Sequence, residues 1–250
     1  MIFRQLFETD SSTYTYLISC SKTGKTVLID PVLETVERDL KVLRDMGLSL
    51  DFVLDTHLHA DHLTGSRKLS ALTGCKICGP ALDELPCTDI GVREGEVFKL
   101  GDVDIHPLYT PGHTDTHHAY RIDTPIQSLL FSGDALLIDA CGRTDFQSGD
   151  AGQLYDSIQE KFFSLPDETL VYPAHDYDGR MVSSIGQEKV RNPRLGQAKS
   201  RDEFIAIMNG LDLPYPRKID FAVPGNALCG ECPPNVPEEL RGPCAIHEVG

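Results

Sequence analysis

Three imidazoles and a carboxylate stand together in Thr56-His57-Leu58-His59-Ala60-Asp61-His62, directly after the apolar run Phe52-Val53-Leu54. Imidazole nitrogen is the commonest protein ligand for zinc and for non-haem iron. Donors at this density, placed where a strand ends, constrain the fold more than any other feature of the chain. The strand must deliver its terminal loop to a metal. Nine His in 250 residues would rarely fall this close by chance.

Composition fixes the setting. With 40% hydrophobic and 24% charged residues the chain reads as a soluble globular protein, and 250 residues are enough for one well-buried core, as one large domain or two small ones. A net charge of −15 argues against nucleic acid and against an anionic membrane surface, since both reward a positive face. No apolar run approaches the roughly 20 residues of a membrane-spanning helix, and the N-terminus lacks a secretory pattern. A cytoplasmic location is the expectation. In that compartment the eight cysteines are expected to be reduced thiols rather than disulfides. Cys229, Cys232, Cys244 and His247 have the ligand types of a structural zinc clamp, and the alternative is a proline-rich tail with incidental thiols.

Short apolar runs at Ile2 to Phe7, Tyr14 to Ser19 and Thr26 to Ile29 predict an antiparallel opening. Val36, Leu40, Leu43 and Met46 then recur at helical spacing, closed by Gly47, before the strand Phe52 to Asp55. After a helix over Gly65 to Leu72, further strands are expected at Lys76 to Cys78, Val97 to Leu100, Val103 to Tyr109, His117 to Ile122 and Ser128 to Phe131. Asp150 is placed to cap a helix bearing Leu154, Tyr155, Ile158 and Phe162, and Leu170 to Tyr172 makes the next strand. Ser200 with Glu203 forms a capping box before Phe204, Ile207 and Met208. From Pro214 onward the proline content predicts an extended arm. The expected organisation is a catalytic domain over residues 1–228 and a Cys/Pro-rich tail over 229–250.

Four further donors follow apolar runs: Asp30 after Val27-Leu28-Ile29, His113 in Thr110-Pro111-Gly112-His113-Thr114, Asp134 after Phe131-Ser132-Gly133, and His175 after Val171-Tyr172-Pro173-Ala174. Each alone is weak, because strands often end in Asp or His for solvation. Together they complete a donor set.

The segments Thr56 to His62, Pro111 to Thr114, Gly133-Asp134 and Pro173 to His175 resemble, in order, the metal motifs of the metallo-β-lactamase superfamily. That resemblance implies an α/β (α+β) fold, an αββα sandwich of two mixed sheets with helices outside. Gly133 to Ile138, Cys141-Gly142-Arg143-Thr144-Asp145-Phe146-Gln147 and Tyr172 to Tyr177 resemble the persulfide dioxygenases of the ethylmalonic encephalopathy protein type. Asn192 to Leu195, Phe204 to Met208 and Ile219 to Asn226 look like that family too, so the resemblance runs from residue 1 to about 230.

For the metal the resemblance implies one Fe(II) per chain, held by His57, His113 and Asp134. Two imidazoles and a carboxylate leave coordination positions open for substrate and dioxygen. His59, Asp61, His62 and His175 are then supporting groups that orient the ligands, or vestiges of a second metal site. The donors for two zinc ions are also all present, so a glyoxalase II-type dinuclear hydrolase of glutathione thioesters is the alternative. A third reading keeps the fold as a non-catalytic metal-binding protein.

The substrates implied are glutathione persulfide and dioxygen, converted with water to sulfite and glutathione. Arg143 is expected to clamp a glutathione carboxylate with its planar fork, and Tyr177 and Thr114 to donate hydroxyls to the same ligand. A surface salt bridge competes for Arg143. Cys141 reads either as a persulfide carrier or as a buried small hydrophobe. The resemblance leaves room for a homodimer and for a sulfurtransferase that feeds the substrate.

Overall fold

The computed structural model describes residues 1–234, 236, 237 and 244, which gather into two compact units. The first unit comprises residues 1–91, 100–102 and 214 onward, and the second residues 92–99 and 103–213.

The first unit is built on strands β1 (Ile2–Glu8), β2 (Thr13–Ser19), β3 (Thr26–Ile29), β4 (Phe52–Leu54), β5 (Lys76–Pro80) and β6 (Ile90–Val92), in that spatial order. β1, β2 and β3 pair antiparallel; β3, β4 and β5 run parallel. Parallel neighbours need crossovers, and these are α1 (Val36–Asp45) and α2 (Ser66–Thr73). Phe7 lies opposite Tyr14 with ring centroids 4.8 Å apart, a cross-strand pair that fixes register. Leu17, Leu28, Val53 and Ile77 from the strands pack with Val36 and Leu43 of α1 and Leu69 of α2.

Phe221 and Ala222 join that same core, and here the structure corrects the sequence. Instead of an extended arm after Pro214, residues Ile219–Asn226 form a helix with Pro224 inside it. Burial of Ile219, Phe221, Ala222 and Gly225 outweighs the helix-breaking cost of the proline.

The second unit carries β7 (Phe98–Leu100), β8 (Val103–Tyr109), β9 (His118–Asp123), β10 (Ser128–Gly133), β11 (Leu170–Pro173) and β12 (Ser183–Ser184). The order across the sheet is β12-β11-β10-β9-β8-β7, with β10 and β11 parallel. Their crossover is α3 (Ala151–Ser157), continued by a π turn to Phe162 and capped by Asp150, whose carboxylate accepts the Gln153 N–H. Two more helices follow, α4 (Ile185–Arg191) and α5 (Arg201–Asn209), the latter opened by the Ser200/Glu203 capping box. Leu154, Ile158, Phe162, Ile185, Phe204 and Met208 cover Ala119, Leu130 and Val171 of the sheet. Two mixed sheets with covering helices agree with the α/β class expected. Among the described residues no helix is long and apolar enough to cross a membrane.

Four of the eight cysteines are not the reduced thiols expected. Cys87 pairs with Cys229 and Cys232 with Cys244. Cys87 and Cys229 are 142 residues apart in sequence, and the fold brings their Cα atoms to 6.1 Å, within disulfide reach. Three of the four residues considered for a zinc clamp are therefore bonded to sulfur and offer no thiolate; the fourth, His247, lies outside the described residues. Replacing the half-buried Cys87 by Ser should cost about 2–4 kcal/mol of stability under oxidising conditions. Urea unfolding with and without reductant checks this: the difference between variant and parent should vanish once reductant is added.

Candidate metal centre

Asp30, His57, Asp134 and His175 follow the carboxyl ends of strands with a parallel partner, where open α/β sheets present their functional loops, and His113 follows the antiparallel β8. In the first unit Asp30 follows β3 and His57 follows β4. Asp30 takes a left-handed conformation (φ 49°), which aspartate tolerates better than most residues. Its carboxylate accepts the Thr56 N–H at 2.7 Å and the Thr56 hydroxyl at 3.0 Å, and meets His59 Nε2 at 3.1 Å. With its proton given to Asp30, the Thr56 hydroxyl can only accept from His57 Nδ1, 2.9 Å away. This relay sets the His57 tautomer and leaves Nε2 as a bare lone pair.

His59 and His62 are buried behind this relay, and His62 Nδ1 sits 2.9 Å from Asp61 Oδ2. One ligand atom from each of His59, Asp61 and His62 falls within 4.8 Å of the others, and Asp30, Asp55 and His59 form a second such set. Burial disfavours a charged His59, yet the Asp30 carboxylate, with Asp61 and Asp55, raises its pKa to about 9. Burial likewise pushes the Asp55 carboxyl up to about 7.

In the second unit His113 leaves the turn after β8, and its Nδ1 lies 2.7 Å from the Arg143 carbonyl oxygen. A carbonyl only accepts, so in the neutral ring Nδ1 carries the proton and Nε2 is a bare lone pair. That nitrogen faces Asp134 Oδ2 at 3.4 Å, and His175 Nε2 stands 3.5 Å from Asp134 Oδ1. Gly142 lets the Cys-Gly-Arg segment pass against both donors. A Cβ there would lie 2.3 Å from the Asp134 carbonyl oxygen and 2.8 Å from His113 Nδ1, while the Gly142 N–H donates to that same carbonyl at 2.8 Å.

The sequence reading missed His117. The β9–β10 register, Phe131 opposite Tyr120, runs on to set His117 beside Asp134. Its Nε2 accepts the Asp134 N–H at 3.1 Å, which requires the proton on Nδ1, directed at the Thr110 hydroxyl 2.8 Å away. A fully buried neutral imidazole thus anchors the backbone of Asp134.

The residues expected at the substrate behave differently from one another. Arg143 already forks onto Asp145, at 2.6 and 2.7 Å, and lies over the Phe146 ring at 4.7 Å. It lines a cavity of about 190 Å³ with Thr144, Asp145, Met208, Asn209, Leu211 and Leu213. Tyr177 is 76% exposed and stacks parallel to His175. The Thr114 hydroxyl is buried with no hydrogen-bond partner among the described residues. Cys141 is packed in the core of the second unit, and burial raises its thiol to about 11, leaving almost no thiolate at neutral pH.

Mixed sheets with helices, carrying His and Asp donors at these strand ends, define a metallo-β-lactamase-type metalloprotein. Residues 9–175 match the family model of the metallo-beta-lactamase superfamily. Mouse "Persulfide dioxygenase ETHE1, mitochondrial" is 45% identical over 94% of this chain and 91% of its own. The crystal structure of ETHE1 from Myxococcus xanthus superposes with a TM-score of 0.88 at 51% identity, covering 92% of this chain and 100% of that one. A hydroxyacylglutathione hydrolase of Rhodospirillum rubrum is 40% identical, but over 67% of this chain and 63% of its own. The chain belongs to the metallo-β-lactamase superfamily and, within it, to the persulfide dioxygenase family.

Proposed function

We propose that the protein oxidises glutathione persulfide with dioxygen and water to sulfite and glutathione, at a single ferrous ion with His57, His113 and Asp134 as protein ligands. The observation that carries this reading is the match to persulfide dioxygenases over more than nine-tenths of the chain, where the glutathione thioester hydrolase match ends at two-thirds.

The side chains fit a cation. In the second unit a bare imidazole nitrogen and a carboxylate oxygen face each other at 3.4 Å, and Asp134 Oδ1 is buried without a hydrogen bond among the described residues. Acceptors that converge in this way cost free energy unless a positive charge lies between them. Two imidazoles and one carboxylate suit Fe(II) with open positions. When bound, ferrous iron supplies the one-electron chemistry towards dioxygen that zinc lacks.

The chain's own groups supply orientation. Thr56 and the Arg143 carbonyl fix the tautomers of His57 and His113, and His117 holds Asp134. The Thr114 hydroxyl, next to His113 in sequence, is buried without a hydrogen-bond partner among the described residues, and in this reading a substrate atom that enters there becomes its partner. Arg143 can reach a glutathione carboxylate by exchanging its fork from Asp145, an exposed partner whose loss costs little.

Anaerobic purification followed by metal analysis and oxygen uptake on glutathione persulfide tests the reading. One iron per chain with stoichiometric sulfite supports it; two zincs with S-lactoylglutathione hydrolysis overturns it. His59→Ala should still retain one iron per chain, because His59 is committed to Asp30 in this reading. Loss of the iron in that variant would make His59 a ligand.

A further inference from the structure

Asn226 ends the C-terminal helix, 98% buried, and its side chain spends every polar atom on the loop that carries His57, His59 and His62. Its Nδ2 donates to the carbonyl oxygens of His59 and of His62, both at 2.8 Å. Its Oδ1 accepts the Thr64 N–H at 2.9 Å. The amide orientation is unambiguous, since two of the three partners can only accept and the third can only donate.

Residues 59–64 run through bends to an isolated bridge at Thr64, and buried peptide groups without a regular ladder must find partners elsewhere. One side chain, more than 160 positions away in sequence, provides three of them. The stretch that carries Asn226 is itself fastened just beyond it, at residues 229 and 230. The Arg67 N–H donates to the Cys229 carbonyl at 3.0 Å, and Cys229 is bonded to Cys87. Gly230 (φ 88°) presses so close to the Thr64 carbonyl oxygen that a Cβ would fall 1.9 Å from it.

We propose that Asn226 is a positioning residue of the metal centre: it clamps the carbonyls of His59 and His62 and thereby fixes the loop from which the metal-facing imidazole His57 projects. The inference rests on the ferrous-site reading given above. A carboxamide offers in one plane the two donors and the acceptor that this clamp uses. Aspartate in its place would keep the bond from Thr64 and turn an oxygen towards two carbonyl oxygens.

The test compares Asn226→Asp and Asn226→Ala with a control, Phe221→Leu, which trims the same helix in its core and leaves the three Asn226 hydrogen bonds to the loop in place. Each holoenzyme is loaded with Fe(II), and the rate of iron loss to a strong chelator is followed beside thermal unfolding and, after loading with Co(II), the visible spectrum. Outer groups that orient metal ligands are typically worth about 10- to 100-fold in affinity, so both Asn226 variants should lose iron at least about tenfold faster and show an altered Co(II) spectrum. Phe221→Leu should lower the unfolding temperature while leaving iron loss and spectrum like the parent's. Parental iron loss in the Asn226 variants, or iron loss that merely tracks unfolding temperature across all three, overturns the clamp. A parent protein that binds no iron would instead sink the ferrous reading itself.

Discussion

Asp134→Ala should purify with almost no iron and show no oxygen uptake on glutathione persulfide, yet fold normally. The carboxylate is the one anionic member of the proposed ligand set, and removing it takes away both a donor and the charge that offsets the ion. Metal-derived stabilisation of the transition state amounts to several kcal/mol, so turnover should fall by about a thousandfold or more. The fold should survive because Asp134 is tied through its backbone. Its N–H donates to His117 Nε2 and its carbonyl accepts from Gly142, and neither bond needs the side chain. Removing a buried carboxylate oxygen that lacks a hydrogen bond among the described residues should leave the unfolding midpoint unchanged or raised. Asp134→Asn sharpens the result: it preserves volume, and it too should lose iron if charge matters. Iron at one per chain in Asp134→Ala would remove this residue from the ligand set.

What the sequence disclosed and what it hid divide along contact distance. The donors were legible because His57 to His62, His113, Asp134 and His175 each follow an apolar strand in sequence, and strand ends are local facts. Local as well were the Asp150 cap and the Ser200/Glu203 box, and the structure shows both. Ser184 with Gln187 carries the same capping signature before α4, so that helix was overlooked and not hidden. His117 was of middle kind. Strand register places it beside Asp134, but only once the β9–β10 pairing is known. Asn226 and the Cys87–Cys229 bridge were out of reach, since each joins parts more than 140 residues apart and neither has a local signature. The helix around Pro224 failed for the opposite reason: its local signal, a proline, points the wrong way, and tertiary burial decides the matter.

Gly142→Ala should be nearly as damaging as loss of a ligand, although the change adds only a single methyl group. Gly142 adopts no positive φ, so alanine meets no backbone penalty there and the effect is purely one of space. The added carbon would stand 2.3 Å from the Asp134 carbonyl oxygen and 2.8 Å from His113 Nδ1. Separations under about 3 Å to backbone do not persist, so the 140–143 segment and the backbone of Asp134 must part by the better part of an ångström. Such overpacking typically costs about 1–3 kcal/mol of stability. The chemical cost should be larger, because the Arg143 carbonyl that fixes the His113 tautomer moves with the segment, and the bond between Gly142 and Asp134 stretches. A misplacement on the order of 1 Å can cost about a hundredfold in turnover, and iron should also leave faster. The decisive comparison is between oxygen uptake per bound iron and the unfolding midpoint. If the midpoint falls while uptake per iron stays at the parental value, the segment relaxes away from the donors, and the tautomer of His113 is not what Gly142 protects.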